Sequence, residues 1–252
     1  MAWVLVREVS LLFALITLGG LLLDTLLRVY HQLQVENIQH YWQIEAVFSL
    51  YSTLKIDHPL PPMRLWAASP DFLVLSIALI KRHKPGIVVE IGSGVSTIVN
   101  SYALREAGRG SLIALEHEEN FAAITADNLI AHQLSSLAQV IYAPLKPVWV
   151  DGREFLWYDR EQLADIPAID LLIVDGPPEK TGPLARLPAL SVLFDKLNDG
   201  AYILVDDFMR TDEHTMVSQW VQAFPLQVVR TYANEKGAAI LRKTSVKDRS
   251  AE

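Results

Sequence analysis

Two glycines set among hydroxyl side chains, a glutamate that ends an apolar run, and three aspartates are the residues in this sequence whose types and spacing can do chemistry. The first group is Glu90-Ile91-Gly92-Ser93-Gly94-Val95-Ser96-Thr97. Gly92 and Gly94 permit a tight turn and a close backbone approach to a ligand, and the helix start that follows offers free N–H groups and the hydroxyls of Ser93, Ser96 and Thr97. A dinucleotide fingerprint needs a third glycine where Thr97 stands, and a phosphate loop needs a Gly-Lys-Ser/Thr step that is missing. The turn therefore suits a nucleoside without demanding a pyrophosphate, although a purely structural turn has the same composition. Glu116 follows Glu90 by 26 residues. That is about where a carboxylate meets the two vicinal hydroxyls of a ribose as a double acceptor. His117 is either a border to the base or a surface residue.

Asp175 and the pair Asp206-Asp207 each close an apolar, β-branched run. If those runs are neighbouring strands, three carboxylates gather in one cleft. Their repulsion is relieved by a hard divalent cation with oxygen ligands or by raised pKa values. Asp175 is then a metal ligand, or a general base or substrate-orienting group, or a solvated strand end.

The elements that must position these residues alternate. Strands are predicted at Ile87–Ile91, Ser111–Leu115, Val140–Tyr142, Asp170–Val174, Tyr202–Val205, Leu226–Tyr232 and Ala238–Arg242. Helices are predicted at Val95–Ala107, Glu119–His132, Ala185–Leu197 and Asp212–Phe224, and a further one begins at Ser69-Pro70-Asp71, with Ser69 as its cap, and runs to about Lys84. Such alternation calls for a doubly wound α/β fold with a mostly parallel sheet covered on both faces, and ligands bind beyond the carboxyl ends of its strands. The long segment Ala143–Ala168 interrupts the pattern. Its Asp151-Gly152 is a hairpin signal, and Trp149, Phe155, Trp157 and Tyr158 either line an acceptor pocket or pack the inserted hairpin. Met63, Arg64 and Trp66 can form a lid.

Taken together, Val88-Val89-Glu90-Ile91-Gly92-Ser93-Gly94, Ala114-Leu115-Glu116-His117, Asp170-Leu171-Leu172-Ile173-Val174-Asp175-Gly176-Pro177-Pro178 and Tyr202-Ile203-Leu204-Val205-Asp206-Asp207 resemble the successive motifs of class I S-adenosylmethionine-dependent methyltransferases. The resemblance covers about Pro62 to Lys243. It implies a Rossmann-like, seven-stranded sheet with the last strand antiparallel. It also implies a donor pocket in which Glu90, Gly92 and Gly94 border the methionine part and Glu116 holds the ribose, with Ser93, Thr97, His117 and Asp175 alongside. The three aspartates are similar to those of catechol-type O-methyltransferases, where an aspartate and an Asp-Asn pair bind magnesium. Here the pair is Asp-Asp, so Mg2+ on Asp175, Asp206 and Asp207 is an open expectation. In the same relatives a lysine follows the fourth-strand aspartate, and Lys180 is the nearest match, so Asp175 and Lys180 are the catalytic candidates. The expected activity is O-methylation of a small-molecule or glycan-type acceptor. The alternatives are an NAD-type oxidoreductase on a similar fold and a non-catalytic nucleoside-binding module.

Composition narrows the classes further. The chain has 22 Lys and Arg against 29 Asp and Glu, a net charge of −7, and no basic run, so nucleic acid is excluded as an expected partner. Cysteine is absent, which closes thiol chemistry. The first thirty residues differ from the rest. Between Val9 and Leu27 the only charge is Asp24. At ~1.5 Å per helical residue that stretch is about 28 Å long, close to the hydrocarbon thickness of a bilayer. Ser10, Thr17, Asp24 and His31 recur every seven residues as one narrow polar stripe. The readings are a membrane anchor through 9–27, a helix buried in a homo-oligomer, and a cleaved signal. Arg28 on the C-terminal side orients an anchor with the catalytic domain at the cytoplasmic face of the cell membrane; without an anchor the protein is expected to be soluble and cytoplasmic. The expected divisions are a hydrophobic helix (1–31), an amphipathic connecting helix with a proline-rich linker (32–61), the methyltransferase domain (62–243) and a frayed tail (244–252).

Overall fold

The computed structural model describes residues 1–63 and 66–244. The expectations placed on Arg64 and on the tail beyond Thr244 lie outside the described residues. By its internal contacts the chain divides into two units, 1–45 and 46–252. Helix α1, Ala2–Thr53, is continuous across that division, so the two N-terminal helical segments expected from the sequence are one element. No proline or glycine pair stands between Gln32 and Thr53 to break it, and the first stop is the turn before His58-Pro59.

The first unit is helix alone. Nearly all of its large apolar side chains are exposed, from Trp3 to Tyr41. The hydroxyls of Ser10, Thr17 and Thr25 donate to the carbonyls of Val6, Phe13 and Leu21, four residues back. Asp24 is paired with Arg28 at 2.8 Å.

The second unit is a three-layer α/β structure. Its sheet runs in the order β3-β2-β1-β6-β7-β9-β8. The strands are β1 (Ile87–Ile91), β2 (Ser111–Glu116), β3 (Ala138–Tyr142), β6 (Ile169–Val174), β7 (Leu197–Asp206), β8 (Leu226–Tyr232) and β9 (Ala238–Lys243). Strands β1, β2, β3, β6 and β7 are parallel, and β9 is antiparallel to both β7 and β8. The central strands read as uninterrupted Ile, Val and Leu because both faces are covered. Helices α2 (Pro70–His83) and α3 (Val95–Ala107) pack on one face around Phe72, Leu73, Tyr102 and Ile173, where Leu50 and Leu54 also lie. On the other face Trp157, Leu190, Leu193 and Trp220 pack against Ile91, Leu172 and Val205, with α5 (Pro188–Leu193) and α6 (Thr211–Ala223) supplying three of those residues. Helix α4 (Glu119–Ala131) follows β2.

Three local expectations change. At the start of α2 the Ser69 hydroxyl does not cap the helix; it donates to Asp71 Oδ1, and that carboxylate accepts the Phe72 N–H at 2.8 Å. The helix predicted over Ala185–Leu197 shrinks to α5, because Pro188 has no N–H to give and can only stand at the first turn. Strand β7 correspondingly starts at Leu197, five residues before the predicted Tyr202. The hairpin expected at Asp151-Gly152 is found: in the crossover between β3 and β6, where a doubly wound fold usually places a helix, β4 (Leu145–Val150) and β5 (Arg153–Tyr158) pair antiparallel about that turn.

Candidate active site

The carboxyl ends of β1, β2, β6 and β7 carry the glycine turn, Glu116 and the three aspartates. Parallel pairing in register places Ile91 opposite Leu115 on one side and Val174 on the other, and Val174 opposite Val205. The turns that follow must therefore meet above the same edge.

The β1 turn is held by its own polar groups. The Gly92 N–H donates to the Leu115 carbonyl at 2.9 Å. Gly92 has φ +106°, and a Cβ there would stand 3.2 Å from the Asp175 carbonyl oxygen, so the position needs glycine both for its conformation and for the close approach of two strand ends. Thr97 accepts the Gly94 N–H at 3.1 Å and donates to Glu90 Oε2 at 2.9 Å. Its hydroxyl thus locks the turn to Glu90. Ser93 donates to Glu116 Oε2 at 2.9 Å, so the glycine turn and the glutamate of β2 share one rim. Glu116 Oε1 accepts the N–H groups of His117 and Glu118, and His117 Nδ1 lies 3.0 Å away. Burial alone would raise the Glu116 pKa, but these hydrogen bonds outweigh it and hold the group below the usual value, a fixed anion. Glu90 behaves oppositely. Its carboxyl is buried, Oε1 has no hydrogen-bond partner among the described residues, and burial pushes its pKa up to about 8.

Asp175, Asp206 and Asp207 come together as expected, with carboxylate oxygens within 4.8 Å of one another. The sequence reading missed what lies among them. Arg186 is buried, and its Nη2 donates to Asp207 Oδ2 at 2.7 Å and to Asp175 Oδ1 at 3.3 Å, while Nε lies 3.7 Å from Glu213. It also donates to the carbonyls of Pro177 and Asp206. Arg210 adds a second guanidinium 3.0 Å from Asp207 Oδ2. Burial raises the Asp175 pKa to about 6 despite Arg186, and it raises that of Asp206, whose two carboxylate oxygens have no partner among the described residues. The one signal for Arg186 was a cation inside the apolar run Leu184-Ala185-Arg186-Leu187.

Lys180 is exposed, on a short 3-10 turn after β6, with its Nζ 3.8 Å from the Glu118 carboxylate and 5.7 Å from the centre of the Trp66 ring. Its described partners are those rim residues and not the aspartates. Of the aromatic residues on the hairpin, Trp149 is exposed, while Phe155, Trp157 and Tyr158 are buried in the core. Clefts of about 360 and 430 Å³ lie elsewhere, one lined by His83, Arg109 and Arg242 at the opposite end of the strands and one between the hairpin and α6. Neither is lined by the carboxylates named above.

Comparison with known proteins agrees with this architecture. Residues 89–208 match a family model described as a methyltransferase domain. Among solved structures, a methyltransferase of Podospora anserina bound to S-adenosylhomocysteine is 15% identical, with a TM-score of 0.57 over 71% of this chain and 81% of that one. The O-methyltransferase TomG of Streptomyces achromogenes, in complex with S-adenosylmethionine, is 15% identical with a TM-score of 0.56 over 82% and 99%. An O-methyltransferase of Bacillus cereus with S-adenosylhomocysteine is 14% identical with a TM-score of 0.55 over 80% and 90%. At such identities the likeness is one of fold. No curated protein matches the chain. The strand order, the antiparallel β9 and the solved structures agree on the class I fold of S-adenosylmethionine-dependent methyltransferases, and residues 89–208 within it match the methyltransferase-domain model.

Proposed function

We propose that the protein is an S-adenosylmethionine-dependent O-methyltransferase acting on a small-molecule or glycan-type acceptor. The observation that carries the reading is the Ser93–Glu116 hydrogen bond, which ties the glycine turn and the ribose-type acid to one rim. The residues fit such a donor in three further respects. A Cβ on Gly94 would meet nothing within 4 Å, so the turn is open on that side. Glu116 is held as an anion, and Glu90 presents an unpartnered oxygen. The donors bound in the solved relatives support the same ligand.

When bound, S-adenosylmethionine supplies an electrophilic methyl group on a sulfonium, so the protein's part is alignment and removal of the acceptor proton. Glu116 accepts the ribose hydroxyls. Gly92 and Gly94 let the backbone approach the methionine part, and Glu90 faces its positive charge. Asp175, with a pKa of about 6, is mostly ionised at neutral pH and yet basic enough to take a proton from a hydroxyl. Lys180 and Trp66 stand on the rim through which an acceptor enters. We read the aspartate cluster as balanced by Arg186 and Arg210 and not by magnesium, because a guanidinium already lies between two of the three carboxylates.

Glu116→Ala tests the donor site by calorimetry with S-adenosylhomocysteine. Removing a charged hydrogen-bond partner costs about 1.5–3 kcal/mol, or roughly 10- to 150-fold in Kd. An unchanged Kd with intact folding overturns the ribose assignment.

Residues 9–27 we read as a membrane anchor with the catalytic domain at the cytoplasmic face. Its hydroxyls are bonded to its own backbone and Asp24 is neutralised by Arg28, which lowers the cost of placing these groups in hydrocarbon. Alkaline carbonate washing is expected to leave the full-length protein in the membrane pellet. Release as a soluble oligomer favours self-association of the helix instead.

A further inference from the structure

Tyr158 is the last residue of β5, at the base of the inserted hairpin. Its side chain is fully buried, and its hydroxyl has no hydrogen-bond partner among the described residues. An unmet hydroxyl in a protein interior is costly, and folds retain few of them without a reason. The position of this one is specific. A Cβ on Gly176 would come 2.5 Å from the Tyr158 hydroxyl, 3.1 Å from the Ile91 carbonyl and 3.4 Å from the Gly92 nitrogen. The phenol therefore reaches the point where the β1 and β6 turns touch, and glycine at 176 leaves it room. The edge of the His117 ring meets the Tyr158 ring at 6.0 Å between centroids. Burial keeps the phenol protonated, and the Glu116 anion adds to it against the Arg186 cation. A buried, neutral phenol without a partner of its own among the described residues is a hydrogen-bond donor awaiting an acceptor oxygen.

We propose that the Tyr158 hydroxyl is a binding group of the donor pocket, giving its hydrogen bond to a ribose oxygen of the nucleoside held by Glu116. The assignment rests on the methyl-donor reading above. It gives the hairpin a role that a crossover helix would not fill: placing a hydroxyl at the junction of the β1 and β6 turns. Tyr158→Phe deletes only that hydroxyl. Without ligand the variant is expected to melt about 2 °C higher, because an unmet buried group has gone. At the same time its Kd is expected to rise about tenfold for both S-adenosylhomocysteine and 5′-methylthioadenosine, which lacks the amino-acid end.

The opposed signs separate a binding role from a packing role, which would move the melting temperature alone. Calorimetry on wild type and variant with both nucleosides reads the result. Unchanged affinities overturn the proposal, as does a loss confined to S-adenosylhomocysteine, which would assign the hydroxyl to the amino-acid end. If wild type binds neither nucleoside, the donor reading itself fails and this assignment falls with it. Binding by wild type with no effect in the variant removes Tyr158 alone.

Discussion

Arg186→Met is expected to lower stability by about 3–5 kcal/mol and to abolish methyl transfer, because it removes the cation from a buried set of acids and leaves them uncompensated. Methionine keeps much of the side-chain volume, so the loss is not that of a cavity. Arg186 meets Asp207 at 2.7 Å, Asp175 at 3.3 Å and Glu213 at 3.7 Å. After the substitution Asp207 retains Arg210, but Asp175 loses its nearest cation. Its pKa then rises further above 6 and the proton acceptor is neutral at the working pH. Chemical denaturation and the pH profile of turnover read the two effects separately. The same cluster predicts how the wild type responds to metal removal: EDTA is expected to leave its activity unchanged. Activity abolished by EDTA and restored by Mg2+ would show that the aspartates hold a cation after all and that Arg186 is its neighbour and not its substitute.

The sheet was legible because its strands are buried on both faces and so read as short, dense β-branched runs. Ile87–Ile91 is found with the bounds expected, and Asp170–Val174 differs by one residue. The polar turns were legible for a related reason: Gly92, Glu116, Asp175 and Asp206 each end such a run, and parallel pairing leaves them no other edge to share. What was hidden depends on contacts distant in sequence. Arg186 meets Asp175 and Asp207, from the β6 and β7 ends, and its one local signal, a cation inside a short apolar run, does not tell which acids it meets. By sequence Tyr158 reads with its neighbours as pocket lining or as packing of the hairpin, and its ring does pack in the core. Only the position of its hydroxyl against Gly176 sets it apart. The helix expected over Ala185–Leu197 was misjudged because apolar periodicity outweighed Pro188, which the backbone does not allow inside a helix. The Ser69 cap failed because Asp71, two residues on, competes for the same N–H groups with a full charge.

Glu90 offers the second large effect, and its sign follows from where its protons go. Its carboxyl is buried and its pKa is about 8 in the folded chain against 4.5 when exposed, with burial the main cause and Asp175 and Glu116 adding to it against hydrogen bonds from Ser96 and Thr97. Between those values the folded state binds more protons than the unfolded state. The contribution of Glu90 is therefore fully present below pH 4.5 and is lost as pH rises through 8, by up to about 1.4 kcal/mol per pH unit. Asp175 and Asp206 are also raised and act in the same direction, so Glu90→Gln is expected to flatten the decline without removing it. Glutamine stays neutral and still accepts from Thr97, which makes the variant more stable than wild type by a few kcal/mol at pH 8 and nearly equal to it at pH 5. Urea unfolding at several pH values measures the difference, and parallel profiles would contradict the buried acid. The ligand reverses this balance. A cationic methionine end beside Glu90 favours its ionised form, so donor binding releases a proton and tightens between pH 6 and 8 in wild type but not in Glu90→Gln. The acid that weakens the free fold is then the group that the bound donor turns into an ion-pair partner, which ties the instability of this strand end to its use.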